Sequence, residues 1–365
     1  MTWAHYQPVK IHGGPGALDC LPGYLGRRTV LLVTTPGSFQ RGPATALMKA
    51  APDVNWLVRT VRPNPDLDEL DALAISLKGA GIEALVALGG GSALDSAKAL
   101  AAALPGRSLA AGLREGVGAS VEAAWPIFAV PTTAGTGSEV TPFATIWDRA
   151  HQKKRSLAAP ALYPQAAFLE PALTLSLPWR ETLWGAMDSL SHSLESLWNK
   201  NATPLSLSWA REALKLICAF LPGLLSDLSV YQAREKLQQA SLLAGLAISQ
   251  NRTALAHAMS YPLTLHFGVP HGLAAAFTLP ALADLVSARG AWASGEDQAL
   301  AQTAAQLIRA QNLGQYILEF CRPDEAARLA GEMAAPDRAG NFILSGREID
   351  VPGILRQSLS WGGRV

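Results

Sequence analysis

Charge is scarce in this chain. Only 16% of its 365 residues are Asp, Glu, Lys or Arg, and they balance to a net +1. No field of one sign is available to gather nucleic acid, and no Lys/Arg run resembles a DNA-reading helix. With 49% hydrophobic residues, the composition demands well-buried elements and argues against disorder. Cysteine is also sparse. Cys20, Cys218 and Cys321 lie far apart and form neither a disulfide framework nor a CxxC knuckle, which fits a reducing cytoplasm. No apolar run reaches the roughly 20 residues needed to span a bilayer. The longest candidate, residues 273–286, contains Pro280 and Asp284. The opening MTWAHYQPVKIHGG has no basic region followed by an apolar one, so no signal peptide is expected. The expectation is a soluble, cytoplasmic protein that acts on small molecules and binds neither nucleic acid nor membrane.

The length predicts two domains. In the first part, short apolar runs at 29–34, 54–60, 84–88 and 126–130 alternate with helical stretches at 67–80 and 93–104. TVLLVT and ALVAL are continuous apolar runs, as expected of strands buried on both faces. Strand–helix alternation predicts a parallel sheet with helices on both sides and ligands at the carboxyl ends of its strands. From about residue 175 the texture changes. Segments 182–198, 204–220, 233–249, 254–267, 273–287 and 298–311 read as helices, with Pro262 interrupting the fourth. The boundary falls in the proline-flanked PALTLSLP at 171–178. Residues 1–175 are therefore expected to form the α/β domain and 176–365 an all-helical one.

Four stretches carry chemistry. GGGSALDSAK at 89–98 joins a strand to a helix, where glycines let a phosphate approach the helix N-terminus. Three consecutive glycines exceed what a tight turn needs. Lys98 on that helix suits either solvent or a binding cleft. PTTAGTGSEVT at 131–141 gathers hydroxyl and glycine residues at another strand end, suited to a ribose, pyrophosphate or nicotinamide amide. DSLSH at 188–192 puts a carboxylate and an imidazole on one helical face. ALAHAMSYPLTLHFGVPHG at 254–272 carries His257, His266 and His271, three of the chain's seven histidines, around a helix break. A lone buried histidine is usually a core residue, but Asp188, His192, His257 and His271 together make a first shell for Fe²⁺ or Zn²⁺.

These four motifs, in this order and at this separation, resemble the iron-containing (group III) alcohol dehydrogenases over nearly the whole chain. The resemblance implies a Rossmann-like α/β domain followed by an all-α metal-binding domain, the architecture shared with dehydroquinate synthase, with the active site between the domains. It implies metal ligation by Asp188, His192, His257 and His271. It assigns Gly90, Gly91, Ser92 and Asp95 to the dinucleotide pyrophosphate, Thr132, Thr133 and Thr136 to the nicotinamide half, and Asn64 and Lys154 to further cofactor contacts. It also implies a homodimer or higher homo-oligomer.

Three departures from the family pattern matter. A frequent proton-relay histidine is replaced by Tyr261, with His266 as a second candidate relay. Thr34-Thr35-Pro36 stands where NAD-preferring members carry a ribose-binding carboxylate, so NADPH is admitted beside NADH. The C-terminal segment has Asn341-Phe342 in place of Asn-Pro-Arg. RTALAHAMSYPLT resembles the phosphonoacetaldehyde reductase branch. Arg252 in this apolar segment would be costly to bury without an anion, although it could also snorkel to solvent. The expected activity is metal-dependent hydride transfer between nicotinamide and a short aldehyde or alcohol, with Tyr261, His266 and Arg252 as catalytic candidates. A sugar-phosphate cyclase of the dehydroquinate synthase type and a non-catalytic dinucleotide-binding protein are the alternatives.

Overall fold

A computed structural model describes residues 2–103, 108–114, 121–334, 336–345 and 349–360. The eight strands are β1 (Lys10–Gly13), β2 (Thr29–Thr34), β3 (Asn55–Thr60), β4 (Ala84–Gly89), β5 (Ile127–Pro131), β6 (Phe143–Asp148), β7 (Lys153–Ala158) and β8 (Ala166–Leu169). Six of them form one parallel sheet in the order β1-β8-β5-β4-β2-β3, and β6 and β7 form an antiparallel pair. Val30, Leu31, Leu32 and Val33 of β2 and Ala84 through Leu88 of β4 have no exposed surface, as their unbroken apolar runs require. The chain leaves β2 towards β3 and then returns past it to β4. The direction of travel therefore reverses between β2 and β4, and the strand ends there are where such sheets bind ligands. Two helices, α1 (Leu67–Ser76) and α2 (Gly91–Ala103), pack against each other beside this point. Leu104, the last residue of the expected 93–104 helix, lies outside the described residues.

The helical part is built from α3 (Trp179–Leu197), α4 (Pro204–Ser226), α5 (Tyr231–Asn251), α6 (Leu255–Phe267), α7 (His271–Ala276), α8 (Leu279–Ala288) and α9 (Gly295–Ala310), with α10 (Val351–Ser360) near the chain end. α3 packs against α4, α5 and α7. The chain divides into two compact units, Gln7–Pro178 and Trp179–Val365, and Met1–Tyr6 groups with the second. Tyr6 does so through its backbone: its N–H donates to Gln250 Oε1 and its carbonyl accepts from Gln250 Nε2.

Several local expectations need correction. Pro262 does not interrupt α6, which continues to Phe267. Its missing N–H costs one hydrogen bond, but buried Leu263 and Thr264 keep the last turn packed. The helix ends at Gly268, which is left-handed at φ 70°; its N–H and that of Val269 close the turn onto Thr264 and Leu263. The single helix expected over 273–287 is two, because Pro280 is confined to the first turn of α8. β1, β8 and the β6–β7 pair escape periodicity. KIHG and AAFL are too short to show an alternation, and KKRSLA is largely polar. The region His271–Ala288 is long and apolar enough to cross a membrane by composition, but 72% of it is buried. Its apolarity is that of a core.

Candidate functional site

At the carboxyl ends of β4 and β5, Gly89 pairs with Pro131, and the Thr132 N–H donates to the Gly89 carbonyl at 3.0 Å. The glycine run and the threonine segment are in van der Waals contact. A Cβ on Gly90 would lie 3.1 Å from Thr133 Oγ1 and Cγ2, and one on Gly91 only 2.7 Å from Thr136 Cγ2. Gly89, at φ 151°, has a conformation that side chains avoid. These glycines therefore serve the packing of two loops. Thr132 is buried, its hydroxyl 3.2 Å from Ser38 Oγ, whereas Thr133 and Thr136 stay half-exposed. Ser92 Oγ accepts the Asn64 N–H at 3.2 Å, and Asn64 tolerates the left-handed φ of 56° there. Asp95 accepts from Ser138 Oγ at 2.7 Å and the Thr145 N–H at 2.8 Å. Burial raises its carboxyl above the usual range, with Lys98 and Lys154 among the groups that oppose the rise. Lys154 is half-buried and Lys153 exposed, so Lys154 is the one turned to this group. All nine cofactor candidates thus belong to one end of the sheet or the segments beside it.

The metal candidates meet in the helical unit. The Nε2 atoms of His192, His257 and His271 lie 3.5, 3.5 and 3.7 Å from the same Asp188 oxygen, Oδ1. These separations are too long for good hydrogen bonds, yet they match the edges of a coordination shell. Bonds of about 2.1 Å at tetrahedral angles put ligand atoms roughly 3.4 Å apart. Asp188 Oδ1 and His257 Nε2 are buried without a hydrogen-bond partner, which in a protein interior calls for an ion or a water. Asp188, His192 and His257 form the buried core of the group, and His271 is about a third exposed. Burial pushes the His192 imidazole down to about 4, so it is neutral and able to ligate.

The α3 helix can bury these groups because its polar side chains are satisfied locally. Ser191, Ser193 and Ser196 donate to the carbonyls four residues earlier at 2.7, 2.8 and 2.8 Å. Glu195, which sequence reasoning missed, is fully buried one turn past His192. Its carboxylate accepts His257 Nδ1–H at 2.6 Å, and the N–H groups of Ala254, Ala256 and His257 at 2.9, 2.6 and 3.2 Å. One side chain therefore satisfies the first orphan donors of α6 and fixes the His257 tautomer that leaves Nε2 free to bind. Burial works to lower His257, but Glu195 and Asp188 outweigh it and carry the imidazole up to about 10. A divalent cation bound by His257 Nε2 would displace the proton that this raised affinity holds there, and Asp188 and Glu195 supply two buried negative charges for it to balance. The sequence signal for Glu195 was its place on the same helical face, seven residues after Asp188.

Gly272 is a second residue the motif reading passed over. A Cβ there would collide with the Trp184 carbonyl and meet Asp188 Cβ at 3.1 Å. Only glycine lets the start of α7 sit this close to α3 and so bring His271 beside Asp188. Tyr261 belongs to this neighbourhood, its ring parallel to that of His271 at 6.1 Å. His266 does not. It lies nine residues after His257, about half a turn round the helix, and pairs instead with Glu332 at 3.0 Å. The relay expected of His266 is withdrawn on that ground. Arg252 lies in the break between α5 and α6. Its φ of 63° and ψ of 177° belong to a region nearly confined to glycine. Asn199 Nδ2 and Asn341 Nδ2 grip the Arg252 and Thr253 carbonyls at 3.0 and 2.8 Å and hold this turn.

Comparison with known proteins gives consistent matches. Residues 8–171 match the family described as iron-containing alcohol dehydrogenase, and 182–316 match the C-terminal part of the Fe-containing alcohol dehydrogenase family. Over 218 residues the chain is 40% identical to a phosphonoacetaldehyde reductase of Streptomyces viridochromogenes, covering 58% of this chain and 55% of that protein. It is 32% identical to a probable alcohol dehydrogenase, EutG, of Escherichia coli, over 75% and 72% of the two chains. The solved structure of a sulfoacetaldehyde reductase from Bifidobacterium kashiwanohense, in complex with NAD⁺, superposes with a TM-score of 0.86 at 31% identity over 99% of both chains.

Two substitutions test this geometry. Glu195→Gln should weaken divalent-ion affinity by about 10- to 100-fold, the usual range for losing a histidine's supporting carboxylate. Calorimetric titration with the metal reads this, and unchanged affinity would contradict the assigned role. Gly272→Ala should lower stability by about 1–3 kcal/mol through overpacking against Trp184. Thermal unfolding together with elemental analysis should show a lower Tm and a reduced metal content.

Proposed function

Because the chain belongs to the iron-containing alcohol dehydrogenase family, we propose that it is an NAD(P)-linked reductase of a short aldehyde bearing an anionic group. The observation that carries the oxidoreductase reading is the convergence of three imidazole Nε2 atoms on one buried aspartate oxygen. In this reading Asp188, His192, His257 and His271 hold Fe²⁺. Gly90, Gly91, Ser92 and Asp95 receive the pyrophosphate, with Asn64, Thr132, Thr133, Thr136 and Lys154 around the rest of the dinucleotide. Bound there, the ion would supply Lewis-acid polarisation of the carbonyl or alkoxide oxygen, and the nicotinamide would supply or accept the hydride.

The protein's own contribution is positioning and proton handling. Glu195 and Asp188 orient the histidine face. Tyr261, held parallel to His271, is the side chain placed to pass a proton towards the alkoxide. As the donor in aldehyde reduction it would give the proton of its phenolic O–H.

The dinucleotide choice is open to NADPH. Thr35, in place of a ribose-binding carboxylate, spends its hydroxyl capping the Pro36–Gln40 helix by accepting the Ser38 N–H. A Cβ on Gly37 would sit 2.5 Å from Arg41 Nη1, so a guanidinium covers this turn. A 2′-phosphate there would meet a cation rather than a like charge. The substrate class rests on Arg252. A non-glycine residue in so strained a backbone costs about 1–3 kcal/mol, which a bidentate contact to phosphonate, sulfonate or carboxylate would justify. Relatives that reduce phosphonoacetaldehyde and sulfoacetaldehyde by name support the same class. Three free cysteines suit a reducing cytoplasm.

Stripping the metal with a chelator, or His271→Ala, should abolish NAD(P)H oxidation with aldehyde followed at 340 nm, and Fe²⁺ should restore only the stripped wild type. Arg252→Gly relieves the backbone strain, so its Tm should equal or exceed that of the wild type. KM for an anionic aldehyde should rise about tenfold or more, the scale of a charge-assisted hydrogen bond, while KM for propanal stays within about twofold. Equal changes for the two aldehydes would overturn the anionic-substrate reading.

A further inference from the structure

Lys98 was suited by its sequence context to solvent or to a binding cleft, and it occupies neither. It lies on α2, two turns past the glycine run, and has no exposed surface. Its ammonium donates to the Ser138 carbonyl at 2.6 Å, Ser138 Oγ at 2.7 Å, the Phe143 carbonyl at 3.0 Å and Thr141 Oγ1 at 3.2 Å. None of these four acceptors is a carboxylate. All belong to the six residues 138–143, which overlap the end of the threonine segment at 131–141. Burying an ammonium among neutral oxygens is costly, and it is retained here with every proton engaged. Burial pushes Lys98 down to about 8, against the opposing pull of Asp95 and Glu139.

The threonine segment is consequently pinned at two points. At its start, the Thr132 N–H donates to Gly89 and its hydroxyl faces Ser38. At its far end, Lys98 gathers two carbonyls and two hydroxyls, and Ser138 Oγ passes the connection on to Asp95. Gly137, left-handed at φ 62°, turns the chain into this grip. Between the two pins, Thr133 and Thr136 lie against the bare Cα atoms of Gly90 and Gly91.

We propose that Lys98 is a positioning residue for dinucleotide binding: its buried ammonium folds residues 138–143 around itself and thereby holds Thr133 and Thr136 over the glycine run. The proposal rests on the reading of these threonines as dinucleotide contacts. The side chain itself touches no cofactor atom, because its donors are all spent on the loop.

Nicotinamide fluorescence titration with NADH and NADPH tests it on the full chain loaded with Fe²⁺, alongside elemental analysis and kcat at saturating dinucleotide. Lys98→Met keeps the length and removes the charge. Its Kd for the preferred dinucleotide should rise about tenfold or more, equivalent to about 1.4 kcal/mol, with metal content unchanged and kcat at saturation within about threefold. Ser138→Ala removes one acceptor and the connection to Asp95 but keeps the carbonyl, so it should raise Kd by a smaller factor, and it decides the matter if Lys98→Met does not fold. Unchanged Kd in the folded variants would overturn the proposal. So would parallel losses of metal and kcat, which would make Lys98 a general stabiliser. Should the wild type bind neither dinucleotide, the reading of the threonine segment falls, and this proposal with it. Dinucleotide binding by the wild type with no change in the variants removes the Lys98 role alone.

Discussion

The contact on which the helical unit depends is that between the Glu195 carboxylate and the start of α6. A fully buried carboxylate is expensive unless its oxygens are saturated, and Glu195 is saturated by three backbone donors and one imidazole. That single side chain does two jobs that are usually separate. It ends the exposure of the α6 N-terminus after the strained turn at Arg252, and it fixes which nitrogen of His257 faces Asp188. The fold and the metal site therefore share an element, and neither is arranged independently of the other. The serines of α3 belong to the same solution, since their bonds to earlier carbonyls let a polar helix run through an apolar core.

Glycine plays the complementary part in both units. Gly272 removes the one atom that would keep α7 from α3, and Gly90 and Gly91 remove those that would keep the threonine segment from the sheet end. In each case a close backbone approach brings candidate ligand-binding groups together. The three-glycine run looked from its sequence like a phosphate cradle. Its conformation shows that the same absence of side chains is already needed to seat Thr133 and Thr136, so the phosphate-binding role we propose would come in addition to a packing role.

What was legible in the sequence follows from range. Strands buried on both faces announce themselves as apolar runs, so TVLLVT and ALVAL were readable, and the helices of the second half were readable from their 3.6-residue period. Asp188 and His192 were readable as a pair because a helix spaces them. The meeting of that pair with His257 and His271 depends on helix packing, and it was the ordered set of motifs resembling a known family that suggested it. Glu195 was hidden because a glutamate at a helical position looks solvated until its partners, about 60 residues away, are seen. The left-handed turn at Arg252 was hidden because nothing in Asn251-Arg252-Thr253 marks it; Asn199, Asn341 and Glu195 impose it from outside the segment. His266 failed as a relay for a local reason that helical geometry could have supplied, since nine residues carry it to the opposite face from His257.

In the site we propose, three imidazole Nε2 atoms and one aspartate oxygen hold a single divalent ion. X-ray absorption at the iron edge on protein loaded with one equivalent of Fe²⁺ tests it most directly. One class of site is expected, with nitrogen and oxygen neighbours at about 2.0–2.2 Å, scattering from three imidazole rings, and loss of that signature in His257→Ala. A spectrum of fully hydrated iron, or one unchanged by that substitution, would contradict it.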